Sequence, residues 1–109
     1  MKVIRNKVIP FGRYKAINLF GVLFVRKGVK VNQQMLNHEE IHSKQMKELW
    51  YILFYVWYLI EWLIRLFQYK GKKAYRNISF EREAYDYDWY MYYMIERKPY
   101  TFLKYLKKR

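Results

Sequence analysis

The feature that most restricts this chain is an unbroken stretch from Gln33 to Phe67 that contains neither glycine nor proline. Leu36, Ile41, Met46 and Leu49 lead into the apolar run LWYILFYVWYLIEWLIRLF, and helix is the natural reading throughout. Leu49 to Ile60 is twelve uninterrupted apolar residues, too few to span a bilayer, which needs about 20. Extending the run to Phe67 takes in Glu61 and Arg65 as an i,i+4 ion pair. Lys44 and Lys47 before it and Lys70, Lys72 and Lys73 after it make both flanks basic, so no orientation across a membrane is favoured. The expectation is a central core helix. The alternative use is a membrane-surface or oligomer contact, which Trp50, Tyr51, Tyr55, Trp57, Tyr58 and Trp62 would suit.

At 109 residues the chain is expected to form one domain with one core. Its punctuation is limited to Pro10, Gly12, Gly21, Gly28, Gly71 and Pro99. Residues 1–31 read as extended: Val3, Ile4, Val8 and Ile9 precede a Pro-Phe-Gly turn, and Ala16 to Val25 (AINLFGVLFV) is rich in β-branched and aromatic residues. Two or three strands are predicted there, as a hairpin or meander. Lys27-Gly28 suits a tight turn, and Asn32 suits the N-cap of a helix over 32–48, ahead of the apolar helix over 49–68. After the basic connector at 69–73, Ser79 is placed to cap a last long helix over 79–97, ended by Lys98-Pro99. A basic tail over 98–109 is read as a short amphipathic helix or a frayed end.

The 22 Lys and Arg against 9 Asp and Glu leave a formal charge of +13, which draws the chain toward phosphates, anionic headgroups or acidic peptides. No nucleic-acid fold signature accompanies these charges, so nucleic acid is not the expected partner. The absence of cysteine excludes disulfides and thiolate metal sites. MKVIRNKVIPF has no apolar run of signal-peptide length before its proline, so the chain reads as unexported and cytoplasmic, with a peripheral membrane location as the variant of that reading.

The sharpest motif is NHEEIH, Asn37 to His42. His38 and His42 stand at i and i+4, so one helical face presents both imidazoles to a single tetrahedral zinc. Glu39, beside the first histidine, would point at the metal's water and serve as the base when that water attacks a carbonyl. The bland alternative is two surface histidines beside two acids. The chain has only two histidines, and chance placement at this spacing with the glutamate is on the order of one in a thousand. A catalytic zinc needs a third protein ligand. With no cysteine and no third histidine it must be a carboxylate, and FEREAY, Phe80 to Tyr85, offers two. Glu81 is preferred because it shares a helix face with Ala84, Tyr85 and Asp88, whereas Glu83 turns toward Tyr87, Tyr90 and Arg97.

These two motifs resemble those of the gluzincins, metallopeptidases whose third ligand is a glutamate on a helix downstream of His-Glu-x-x-His, and in size the chain is similar to the one-domain minigluzincins. The resemblance implies a small α+β zincin-like domain, zinc as cofactor, and a peptide substrate laid as an extra strand along a sheet edge, with Ala16 to Val25 as the candidate segment. Several families of that group follow the ligand glutamate with x-x-Ala-Asp; here Ala84 matches and Tyr85 stands where the aspartate would orient a zinc histidine. Asp86, Asp88 or the Tyr85 hydroxyl would have to substitute. The competing classes are a non-catalytic zinc-binding or metal-free basic, aromatic module for an anionic membrane surface or acidic partner, and an inactive descendant that keeps the metal.

The metal site also constrains the long helical stretch. Were the apolar run to cross a membrane, the histidines and Glu81 would lie about 30 Å apart on opposite sides. A straight helix from His42 to Phe67 would carry the chain about 37 Å away, and the stretch from Gly71 to Glu81 would span only about 33 Å on return. A bend near Lys47 to Trp50 is therefore predicted.

Overall fold

The computed structural model describes residues 2–7 and 15–107. Strands β1 (Lys2–Asn6), β2 (Ala16–Leu19) and β3 (Val22–Arg26) are followed by helices α1 (Gln33–Glu48), α2 (Ile52–Gln68), α3 (Lys72–Arg76), α4 (Ser79–Tyr87) and α5 (Tyr93–Glu96), and by a 3-10 turn at Thr101–Tyr105. The class is α+β. The Pro-Phe-Gly turn expected at 10–12 lies outside the described residues.

The three strands form a mixed sheet in the order β1-β3-β2, with β1 parallel and β2 antiparallel to β3. The hairpin part of the sequence reading holds for β2 and β3; a meander does not form, because β3 rather than β2 takes the centre. The reason is apolarity: Leu23 and Val25 of β3 are fully buried, whereas β1, with the sequence KVIRN, is largely exposed and suits an edge. The segment Ala16 to Val25 also folds back on itself at Phe20-Gly21, where both residues have positive φ and close a two-residue turn between Leu19 and Val22.

Asn32 caps α1 as its sequence position suggests, its side-chain oxygen accepting the Met35 N–H at 2.8 Å. The break predicted after Lys47 is present, and α2 departs at 110° from α1. It is a Schellman ending: the Tyr51 N–H reaches the Met46 carbonyl at 2.7 Å and the Trp50 N–H reaches Lys47 at 3.3 Å. Trp50 and Tyr51 have φ of 57° and 60°, so Trp50 occupies the left-handed position that glycine usually takes.

Helix α4 begins one residue differently from expectation. Ser79 is its first helical residue and Ile78 its cap, and the capping oxygens come from α2: the Glu61 carboxylate accepts the Ser79 N–H at 2.5 Å and its hydroxyl at 2.6 Å. An anionic group at a helix N-terminus satisfies orphan N–H groups and the helix dipole together. Glu61 also pairs with Arg65, as the i,i+4 spacing suggested.

The last long helix expected over 79–97 is two helices. Its interruption has a specific cause: the Asn37 side-chain amide, from α1, donates to the carbonyls of Tyr87, Asp88 and Tyr90 at 3.3, 2.8 and 3.0 Å. The carbonyls of Tyr87 and Tyr90 also accept the Tyr90 and Tyr93 N–H groups, so the chain leaves the helix in tight turns that the amide holds from across the interface. The tail folds as the 3-10 turn, with Phe102 buried against Phe80 and Trp57. Met46, Leu49, Phe54, Ile78, Phe80 and Phe102 make the main apolar cluster; Ile41, Ala84 and Tyr93 make a second where α4 lies on α1. Tyr51, Tyr55, Trp57 and Tyr58, read from sequence as suited to an interface, pack on the main cluster instead, while Trp50 and Trp62 are exposed.

Candidate metal centre

Helix α1 turns Asn37, His38, Ile41, His42 and Gln45 inward, so both histidines leave the same buried face one turn apart. Packing of α4 on α1 brings Glu81 opposite them. The Nε2 atoms of His38 and His42 are 3.2 Å apart, and Glu81 Oε1 lies 3.2 Å from the first and 3.1 Å from the second. Bonds of about 2.0 to 2.1 Å in a tetrahedral site separate neighbouring ligand atoms by about 3.3 to 3.4 Å. The triangle therefore has nearly the dimensions of three corners around one ion, and His38, His42 and Glu81 together can hold a metal.

The protons decide what such a triangle means. Gln45 Nε2 donates to the Phe80 carbonyl at 3.0 Å and to Glu83 at 3.0 Å, which fixes the amide's orientation and turns Gln45 Oε1 toward His42 Nδ1 at 2.8 Å. The Nδ1 of His42 must then carry the proton, leaving Nε2 a bare lone pair when the ring is neutral. His38 Nδ1 faces the Asp88 carboxylate at 3.0 Å, with the same result. Two lone pairs and a carboxylate oxygen thus converge with no proton of their own between them, an arrangement that calls for a cation.

Comparison with protein-family models, curated proteins and solved structures gives no match.

Without a metal the cation is a proton. Burial alone would depress the His42 pKa, but the Glu81 carboxylate outweighs it and raises the group to about 9. Burial pushes Glu81 upward, yet the charge of His42 and the hydrogen bonds from both histidines carry it well below the usual carboxylate range. Ligand protons and a metal compete for the same lone pairs.

Each ligand has a partner that holds it. Gln45 serves His42, Asp88 serves His38, and the Tyr58 hydroxyl donates to Glu81 Oε2 at 2.7 Å, leaving Oε1 toward the histidines. Burial keeps the Tyr58 phenol protonated by raising its pKa far above the ordinary tyrosine range, so it remains a donor. Of Asp86, Asp88 and the Tyr85 hydroxyl, Asp88 is the one hydrogen-bonded to His38; Asp86 is exposed, and Tyr85 packs its ring on His38 with centroids 4.6 Å apart. Tyr58 and Asn37 went unrecognised in the sequence reading. Gln45 did too, although its place three residues after His42 is a readable signal, since i and i+3 share a helix face.

Glu83, the alternative third ligand, is buried but faces away. It accepts from Arg97 Nε at 2.5 Å and from the Tyr93 hydroxyl at 2.6 Å, while Arg97 also pairs with Glu48 at 2.7 Å. Glu39 is half-buried beside His38. Burial raises its pKa, opposed by the positive charges of His42 and His38. Its backbone carbonyl accepts from Asn18 of β2 at 2.9 Å, which ties the sheet edge to this turn of α1.

If Asp88 orients His38, Asp88→Ala should weaken metal affinity by about 10- to 100-fold. Asp86→Ala should leave it unchanged. Competition against a chromophoric chelator measures both, and equal affinities in the two variants would remove Asp88 from this role.

Proposed function

We propose that this chain is a zinc-dependent peptidase of gluzincin type, in a zincin-like arrangement of edge strand, His-Glu-x-x-His helix and glutamate helix. The observation that carries the reading is the convergence of two imidazole nitrogens and one carboxylate oxygen within 3.2 Å, each oriented by its own partner. His38, His42 and Glu81 would hold the zinc. When bound there, zinc supplies a Lewis acid and lowers the pKa of water into the neutral range.

The protein's own groups do the rest. Glu39 accepts the proton of the attacking water and passes it to the departing amine, a task suited to a carboxylate whose pKa burial raises above the ordinary glutamate value. Asp88 and Gln45 keep the lone pairs of both histidines aimed at one point. An extended peptide would pair with β2, an edge strand whose Asn18 is bonded to the Glu39 carbonyl. Tyr55 occupies part of that edge, with its hydroxyl on the Phe20 N–H and the Asn18 carbonyl. Ala16, two residues back and facing the same way, starts the stretch where a substrate strand would lie.

A second reading is a zinc that only ties α1 to α4. The low exposure of the ligands favours it: His38 is 9% exposed, His42 5% and Glu81 3%. The zinc-loaded chain assayed against a broad library of quenched fluorescent peptides separates the two. Peptidase function requires cleavage that stops when a chelator removes the metal and returns with added zinc. A folded, zinc-loaded chain that cleaves nothing in the library would leave the structural reading standing and the enzyme reading refuted.

A further inference from the structure

Helix α2 is inverted relative to a helix on the surface of a water-soluble domain. The side chains it turns fully inward are Phe54, Glu61 and Arg65, with Tyr58 on the same stripe. The buried carboxylate accepts from Ser79 and pairs with the guanidinium, which also donates from Nη2 to the Leu106 carbonyl. Outward the helix is apolar. From Leu66 round to Ile64, an arc of about 160° at 100° per residue, every position carries an apolar side chain that is about half exposed or more. Phe67 is 94% exposed, and Trp50, at the bend that starts the helix, is 85% exposed. Water disfavours a continuous apolar face of this kind, which exceeds the scattered surface leucines of ordinary domains.

Charge indicates what covers that face. No exposed basic group lies on the arc, and exposed ones flank the helix in the chain on both sides: Lys44 and Lys47 before it, and Lys70, Lys72, Lys73 and Arg76 after it, with others on the strands and the tail. Of the nine acids in the chain only Asp86 and Glu96 are exposed, so a surface drawn from a +13 chain is more one-sidedly basic than its composition. A second copy on the arc would set basic ends against basic ends in either orientation. A bilayer with anionic headgroups matches both features, taking the arc among its acyl chains and the lysines on its surface. Among the described residues no single helix is long and apolar enough to cross a membrane. The start of α4 packs against the inner stripe of α2, so the helix has one side for protein and one for lipid, as in a helix lying in the interface plane.

We propose that the outer face of α2 seats this protein on an anionic phospholipid bilayer. The inference stands independently of the zinc site. It is tested with the full chain by flotation with phosphatidylcholine vesicles with and without phosphatidylserine, and by tryptophan quenching from brominated acyl chains. Wild type should float with the anionic vesicles and be quenched. A Val56→Ser, Ile60→Ser, Leu63→Ser variant, altered only at exposed positions and checked for a wild-type thermal transition, should bind about tenfold or more weakly and lose the quenching. Lys70→Gln, Lys72→Gln, Lys73→Gln should reduce the preference for phosphatidylserine. Three results would overturn the proposal: no flotation of wild type, undiminished binding of the serine variant, or a vesicle-independent dimer that the serine variant dissolves, which would make a second copy the cover.

Discussion

Replacing Glu81 by alanine should reduce bound zinc from one per chain to near zero after dialysis, while Glu83→Ala should keep the metal and lose stability instead. The two glutamates are two residues apart, both buried, and differ only in what they face. Glu81 Oε1 closes the triangle with His38 and His42; without it two imidazoles remain, and a two-ligand site holds zinc weakly. Glu83 instead neutralises Arg97, whose side chain is nearly as buried. Truncating one partner of a buried pair costs about 3 to 5 kcal/mol because the other charge is left uncompensated. Here Glu48 still pairs with Arg97, so the lower end of that range is expected. Elemental analysis of the dialysed proteins and urea unfolding measure the two effects. Zinc is read in buffer where the variant's near-UV signal is native, so that metal loss and unfolding are not confused. Loss of zinc from folded Glu83→Ala with retention in Glu81→Ala would reverse the assignment.

The same pair shows how far a sequence carries such an assignment. Helical spacing alone separates the faces of Glu81 and Glu83 and directs the latter toward Arg97, where the structure puts it, although by way of a second short helix rather than one continuous one. The histidine pair and the Asn32 cap are legible for the same reason: both are local, and a helix converts spacing into direction. The bend after Lys47 was reachable only by comparing path lengths, because its signature residue is tryptophan rather than glycine. The break after Tyr87 was not reachable at all. It depends on the Asn37 amide arriving from fifty or more residues earlier in the chain, and no glycine or proline marks it. Tyr58 was hidden differently, in a run so apolar that a single hydroxyl carried no pattern until α4 supplied the carboxylate it meets. Asn37 and Tyr58 are the long-range polar partners the sequence conceals here, the first ending α4 and the second aiming Glu81.

Glu39→Gln should abolish peptide hydrolysis, by about 10²- to 10⁴-fold in kcat, and leave zinc bound at one per chain. The amide is isosteric with the carboxylate, so α1 and the ligand geometry have no reason to move. What changes is the ability to accept a proton. Glu81, Glu83 and Asp88 cannot replace it, because each is already engaged: Glu81 by Tyr58 and the histidines, Glu83 by Arg97 and Tyr93, Asp88 by His38 and Gln34. Among the described residues nothing hydrogen-bonds the Glu39 carboxylate, which leaves it available for water. Burial raises its pKa, and so the base form should dominate only above a limb that lies higher than an ordinary glutamate's. The acidic limb of kcat/KM should disappear with the residual activity in the glutamine variant. A single-turnover assay on zinc-saturated protein separates the chemical step from substrate binding. Hydrolysis at the wild-type rate by Glu39→Gln, with zinc content unchanged, would show that another group takes the proton and would reduce Glu39 to a neighbour of the metal.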